Sequence, residues 1–250
     1  MLLPPLAKLA AALPSSIKLK LRRLRPLYGK IVSYRQRRVD LRCHGQTVCW
    51  QPDELTSQAF LHGTYEPEMR QAFAEFIRPG FVVYDVGSHA GYFAVTNALL
   101  VRPGGSVVAF EPRQSNVASI ERQLRLNPDL SIRLLQIAVS DRDGFAMFDE
   151  SPGSSEGALS TKGGTRVAIR SIDSLVGSGE IPPPSLIKID VEGHEQKVLE
   201  GAVATIAAHQ PIILLDYNEG DTLSTARDVL GPLKYAVDPG GAFILARPSI

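Results

Sequence analysis

The carboxylates of this sequence that could do chemistry gather at one place. In Leu186-Ile187-Lys188-Ile189-Asp190-Val191-Glu192-Gly193-His194-Glu195 an apolar run ends in Asp190, and Glu192, His194 and Glu195 follow it directly. A carboxylate at a strand end can take the proton of a hydroxyl held against it, and His194 or Glu192 could do the same. Glu192 and Glu195 also suit the first turn of a helix, where the backbone dipole favours negative charge. Asp190, at the strand terminus itself, is the strongest candidate to line a site. Asp190 and Glu192 could alternatively hold a divalent cation such as Mg²⁺, which takes hard oxygen ligands.

A second cluster is the turn Asp85-Val86-Gly87-Ser88-His89-Ala90-Gly91, which follows a near-continuous apolar run. Asp85 tops that strand, and Gly87 and Gly91, lacking a Cβ, let the chain turn sharply and a ligand come close. The spacing is D-x-G-x-x-x-G rather than the G-x-G-x-x-G of dinucleotide sites, so a pyrophosphate cradle, and with it a nicotinamide oxidoreductase, is disfavoured. Glu111 ends the next strand, where a carboxylate can accept hydrogen bonds from both hydroxyls of a ribose. A nucleoside joined to a cationic amino acid fits such a turn, and S-adenosylmethionine has that shape.

These residues need a frame that brings strand ends together. From Tyr65 onward helical patterns alternate with short β-branched runs, the signature of βαβ units wound into a mainly parallel sheet. Helices are predicted at 66–77, 92–101, 114–126, 172–176, 193–208 and 223–230, and strands at 81–86, 106–110, 132–137, 145–148, 185–190 and 211–216. The segments 234–237 and 242–246 read as a terminal antiparallel hairpin, and the Ser- and Gly-rich 151–165 as a mobile loop. In such a sheet ligands bind beyond the carboxyl ends of the strands. Asp85 to Gly91, Glu111-Pro112, Ala138-Val139-Ser140 and Asp190 to Glu195 should therefore converge in one crevice.

With 250 residues, 44% hydrophobic and 21% charged, the chain is long enough for one principal α/β domain with an appended arm, and its composition excludes disorder and coiled coil. The arm is 1–38, which carries ten basic residues and no acidic one, leaving 17 basic and 26 acidic residues for the rest. Residues 39–64 read as a small hairpin and linker region around His44-Gly45-Gln46, and 65–250 as the main domain. Cys43 and Cys49, the two cysteines, suggest buried or half-buried thiols in a reducing, cytoplasmic setting rather than a disulfide scaffold. The apolar start is too short to span a membrane and lacks the charge order of an export signal. The arm could lie on an anionic membrane surface or pack against the acidic body.

The motifs together resemble the FkbM-type S-adenosylmethionine-dependent methyltransferases. The resemblance rests on 83–91, Phe110-Glu111-Pro112, Ala138-Val139-Ser140-Asp141, and the run 186–195 followed by Val198-Leu199-Glu200-Gly201-Ala202, and it covers about 65–247. It implies a doubly wound, seven-stranded, Rossmann-like class I sheet with the terminal hairpin as its antiparallel edge. It also implies O-methylation of a hydroxyl on a sugar, lipid-linked glycan or secondary metabolite. On this likeness Asp85, Gly87 and Gly91 would hold the methionine end, Glu111 the ribose, and the segment 136–138 with Ala138 would lie beside the adenine. Ser88 and His89 belong to the same cofactor turn, His89 either touching the cofactor or filling the turn. Asp190 and Glu192 would face the acceptor, with His194 a further candidate base. The sequence departs from the commonest pattern at Ser88-His89, where a small residue and Asn are more usual, and at Tyr217-Asn218-Glu219. An RNA methyltransferase guided by the basic arm and an inactive binding module of the same fold are the alternatives. The acidic body argues against the first, and the intact strand-end signals against the second.

Overall fold

The computed structural model describes residues 37–149, 158–160, 164–216 and 222–249. The basic arm up to Gln36, most of the 151–165 stretch and Tyr217-Asn218-Glu219 lie outside the described residues.

The chain enters through a hairpin, β1 (Val39–Cys43) and β2 (Gln46–Trp50), turned at the predicted His44-Gly45. The short helix α1 (Gln58–His62), absent from the sequence reading, is capped by the Ser57 hydroxyl, which accepts from the Ala59 N–H at 3.1 Å. Helix α2 (Pro67–Phe76) leads into the βα units: β3 (Val82–Val86), α3 (Tyr92–Leu100), β4 (Ser106–Phe110), α4 (Gln114–Leu126) and β5 (Ile132–Leu135). The hairpin is tied to this body by α4, whose Asn127 and Gln123 side-chain oxygens accept from the Cys49 and Gln51 N–H groups at 2.9 and 3.0 Å. Trp50, Phe60 and Tyr92 fill the seam.

After β5 comes a side sheet of β6 (Ala138–Val139), β7 (Gly144–Asp149), β8 (Ala158–Ser160) and β9 (Thr165–Arg170), in the order β6-β9-β7-β8. Two expectations are corrected here. The predicted strand 132–137 stops at Leu135, and the chain then joins the side sheet. The predicted 151–165 loop contains β8, and β9 follows it with inward Val167 and Ile169 alternating with more exposed neighbours, a period-two pattern.

The main sheet is completed by β10 (Leu186–Ile189), β11 (Ile212–Asp216), β12 (Tyr235–Pro239) and β13 (Phe243–Pro248), in the order β12-β13-β11-β10-β3-β4-β5. The terminal hairpin forms the antiparallel edge expected from the sequence. β13 runs antiparallel to both β11 and β12, so the outermost strand is parallel to the body. β10 lies between β3 and β11, and all four of its residues are buried. Because side chains alternate along a strand, Val83, Leu186 and Leu214 face the layer of α2, α3 and the N-terminal hairpin. Tyr84, Ile187 and Ile213 face α5 (Ile172–Gly177), α6 (Glu195–Glu200), α7 (Val203–His209) and α8 (Thr222–Leu230).

The single helix predicted at 193–208 is two helices, α6 and α7. Gly201 lies against the Ser140 carbonyl, where a Cβ would overlap the oxygen. The Asp173 carboxylate accepts from the Ala204 and Thr205 N–H groups at 3.0 and 2.7 Å, starting α7 afresh.

Candidate active site

A cavity of about 340 Å³ opens at the carboxyl ends of β3, β4, β6, β10 and β11. The four strand-end segments marked in the sequence meet there: Gly87 and His89, Glu111 and Pro112, Ala138 and Val139, and Asp190, Val191, Glu192 and His194 all line it. Tyr65, Glu66, Asn116, Phe148 and Asp216 complete the polar and aromatic wall.

At one end sits Glu111, 4% exposed, its two oxygens accepting from the backbone N–H groups of Arg113 and His89, each at 2.8 Å. His89 reaches that position through a left-handed backbone, φ 47°. Burial pushes the Glu111 carboxyl up to about 7, against the pull of those two donors and of Asn116. Phe110, Ile137, Ala138, Val139 and Phe148 supply apolar lining to the same cavity.

The other end is acidic, with Glu66, Asp190, Glu192 and Asp216 on the wall. Burial and the neighbouring Asp190 push Asp216 up to about 6, and burial raises Glu66 as well. Beneath them lies Lys188, 2% exposed, which pairs in register with Asp85 across β10 and β3. Its ammonium donates to Asp190 Oδ2 at 2.9 Å and to the Gly87 carbonyl at 3.2 Å, and stands 3.5 Å from Asp85 Oδ1. Burial opposes its charge, but Asp190 and Asp85 outweigh it and raise its pKa, so the side chain stays an ammonium.

The structure shows what several residues singled out in the sequence touch. Gly87, φ 81°, lines the cavity, but its missing Cβ makes room for the Asp190 carbonyl rather than for a ligand. Gly91, φ 82°, starts α3, and a Cβ there would come 2.9 Å from Ile120 Cγ1, so it serves helix packing and lies outside the cavity lining. Ser88 is buried with its hydroxyl on the Asp85 carbonyl at 2.7 Å, and Asp85 is wholly buried behind the wall, its carboxyl raised by burial and lowered by Lys188. His194 Nε2 lies 3.0 Å from the Ser140 hydroxyl, and burial lowers its pKa against the pull of Asp141. Glu195 folds back to accept from the Val191 and Gly193 N–H groups at 3.3 and 3.1 Å, holding the 190–195 bend. Among the described residues no group of three or more His, Cys, Asp or Glu is arranged to hold a metal ion.

The sequence reading missed Lys188, Glu66 and Asp216. Lys188 had a signal, since a lysine inside an apolar central strand must find carboxylates. Asp216 ends its strand just as Asp190 does. Glu66 reaches the cavity through φ 37° before Pro67, which no local pattern announces.

Comparison with known proteins agrees with this geometry. The family described as the Methyltransferase FkbM domain matches residues 85–229. The hexuronic acid methyltransferase AglP of Haloferax volcanii is 36% identical over 122 residues, covering 48% of this chain and 49% of that protein. The chain thus spans about half the length of this relative. The crystal structure of methyltransferase FkbM from Methylobacillus flagellatus KT shares the fold, with a TM-score of 0.51 at 19% identity over 78% of this chain and 55% of that one. No helix among the described residues is long and apolar enough to cross a membrane.

Proposed function

Because the chain belongs to the FkbM methyltransferase family, we propose that it carries a methyl group from S-adenosylmethionine to a hydroxyl oxygen, with a sugar or lipid-linked glycan as the acceptor. The observation that carries this reading is the polarity of this cavity. A carboxylate held by two backbone donors and an apolar shelf stand at one end, and an aspartate fixed by a buried ammonium stands at the other.

Glu111 would accept the two ribose hydroxyls, and Ile137, Ala138 and Val139 would lie against the adenine. The Gly87 turn and His89 would run along the methionine part. These residues suit the cofactor because Glu111 is buried yet still faces the cavity. When bound, the cofactor supplies a methyl carbon already activated by a sulfonium for in-line displacement. The chain has then to align the hydroxyl and take its proton, and Asp190 is the group for that task, with Glu192 and His194 beside it.

The relative AglP carries a hexuronic acid in its name, which supports a sugar. The acidic half of this cavity favours an uncharged acceptor. Among its described lining residues there is no lysine or arginine, and Lys188 behind it is committed to Asp85 and Asp190.

Calorimetric titration with S-adenosylhomocysteine tests the cofactor half. Glu111→Ala should weaken binding about 10- to 100-fold, the value of charge-assisted hydrogen bonds. The pH dependence has a definite sign. Glu111 holds its proton to about 7 in the folded chain, above the ordinary carboxylate range, so without ligand its ionisation costs stability as the pH rises through that window. The ionised form is the better acceptor for ribose hydroxyls. Affinity should therefore rise as the pH passes upward through about 7, and Glu111→Gln should flatten the curve. An affinity unaffected by either substitution would remove Glu111 from the ribose position.

A further inference from the structure

The geometry points to Lys188 as the positioning residue of the transfer: it fixes the Asp190 carboxylate by one oxygen so that the other faces the acceptor. This inference rests on Asp190 being the proton acceptor.

Lys188 is 2% exposed and is not part of the cavity wall. Reactants therefore meet it only through Asp190. Its ammonium holds Asp190 Oδ2 at 2.9 Å, while Oδ1 has no hydrogen bond to any described residue, on a side chain 26% exposed at the cavity wall. The same ammonium holds the Gly87 carbonyl at 3.2 Å. One buried charge thus joins the carboxylate to the glycine turn across neighbouring strands. Asp85, wholly buried, stands 3.5 Å from it and supplies a second negative charge without entering the cavity.

A loosely held aspartate would turn about two side-chain bonds and present either oxygen in many directions. Tying Oδ2 removes most of that freedom and leaves Oδ1 as the oxygen to take up a hydroxyl. Misplacing a reacting group by about 1 Å can cost about 100-fold in rate. A lysine that merely neutralised Asp85 and Asp190 would affect stability and leave the chemical step alone. The two roles therefore differ in what they move.

Steady-state kinetics of the full chain, with S-adenosylmethionine and an acceptor that the wild type turns over, separate them through Lys188→Met, Asp190→Asn and the double variant. Lys188→Met should lower kcat about 100-fold while KM for S-adenosylmethionine changes by less than about threefold. In the Asp190→Asn background the same change should cost nothing further, because both act through one carboxylate. Asp85→Asn/Lys188→Met, which removes the buried charge pair together, serves the same comparison if the single variant does not fold. A lower thermal midpoint with kcat intact, or a loss that adds in full to that of Asp190→Asn, would overturn the positioning role. The two failures are distinct. Full turnover in Asp190→Asn removes the proton acceptor, and with it the role of Lys188. Slow turnover in Asp190→Asn beside full turnover in Lys188→Met removes Lys188 alone.

Discussion

Asp190→Asn is expected to lower turnover by about 10²- to 10⁴-fold, the usual contribution of a positioned general base, while S-adenosylhomocysteine binds as in the wild type. The amide keeps the shape of the side chain and can still accept from Lys188, so the strand end should hold its form. What it loses is the ability to take a proton. Glu111 and the apolar shelf lie on other strand ends, around β4 and β6, and the substitution leaves them untouched. Turnover and calorimetric affinity, measured on one preparation, give the split directly. If His194 took the proton instead, Asp190→Asn would keep most of its rate and His194→Gln would lose it. The His194 ring is held at the Ser140 hydroxyl, away from the Lys188 pair, which is why Asp190 ranks first.

Gly87→Ala should have the largest effect on the site as a whole. The residue has φ 81°, and an added Cβ would overlap the carbonyl oxygen of Asp190. Backbone cannot give way here as a flexible side chain would. The Gly87 and Ser88 N–H groups bond the Phe110 carbonyl at 3.1 and 3.0 Å, and the Gly87 carbonyl accepts from Lys188. Accommodating the methyl group would push the β3 turn from the end of β10 and break the ammonium's hold on both. We expect a stability loss of at least about 3 kcal/mol, seen as a lower thermal midpoint, and loss of turnover. Gly193→Ala is the matched control, since Gly193 has φ 90° but open space around it. It should show only the left-handed strain of about 1–2 kcal/mol. Equal losses in the two variants would mean that backbone conformation, rather than the contact with Asp190, accounts for Gly87.

The strand-end signals were the most legible part of this chain, because each is local. An apolar run that stops at Asp85, Glu111 or Asp190 states both the strand and what stands at its tip, and parallel winding brings the tips together. The break between α6 and α7 was not legible. It depends on Asp173 reaching Ala204 and Thr205 and on Gly201 meeting Ser140, contacts between segments far apart in sequence. The side sheet was obscured for a related reason, since β9 follows a Ser- and Gly-rich stretch whose composition suggests a loop. Gly87 and Gly91 also carry a packing requirement that no local pattern states. Both positions do require glycine, but the space each leaves is taken by Asp190 or Ile120 and not by a ligand. Glu66 and Asp216 entered the site from elements that the motif does not include. Lys188 was visible in the motif, and what its charge does became clear only from its register beside Asp85.

In the proposed function one cavity presents a cofactor methyl group to an acceptor hydroxyl beside Asp190. Incubating the full chain with S-adenosylmethionine carrying a ¹³C methyl and a panel of neutral glycosides, then reading the products by carbon NMR, tests it most directly. Label is expected in an O-methyl ether, its formation strongly reduced by Asp190→Asn and by Lys188→Met. Label appearing on nitrogen, on carbon or on RNA, or an ether formed at the same rate by Asp190→Asn, would contradict it.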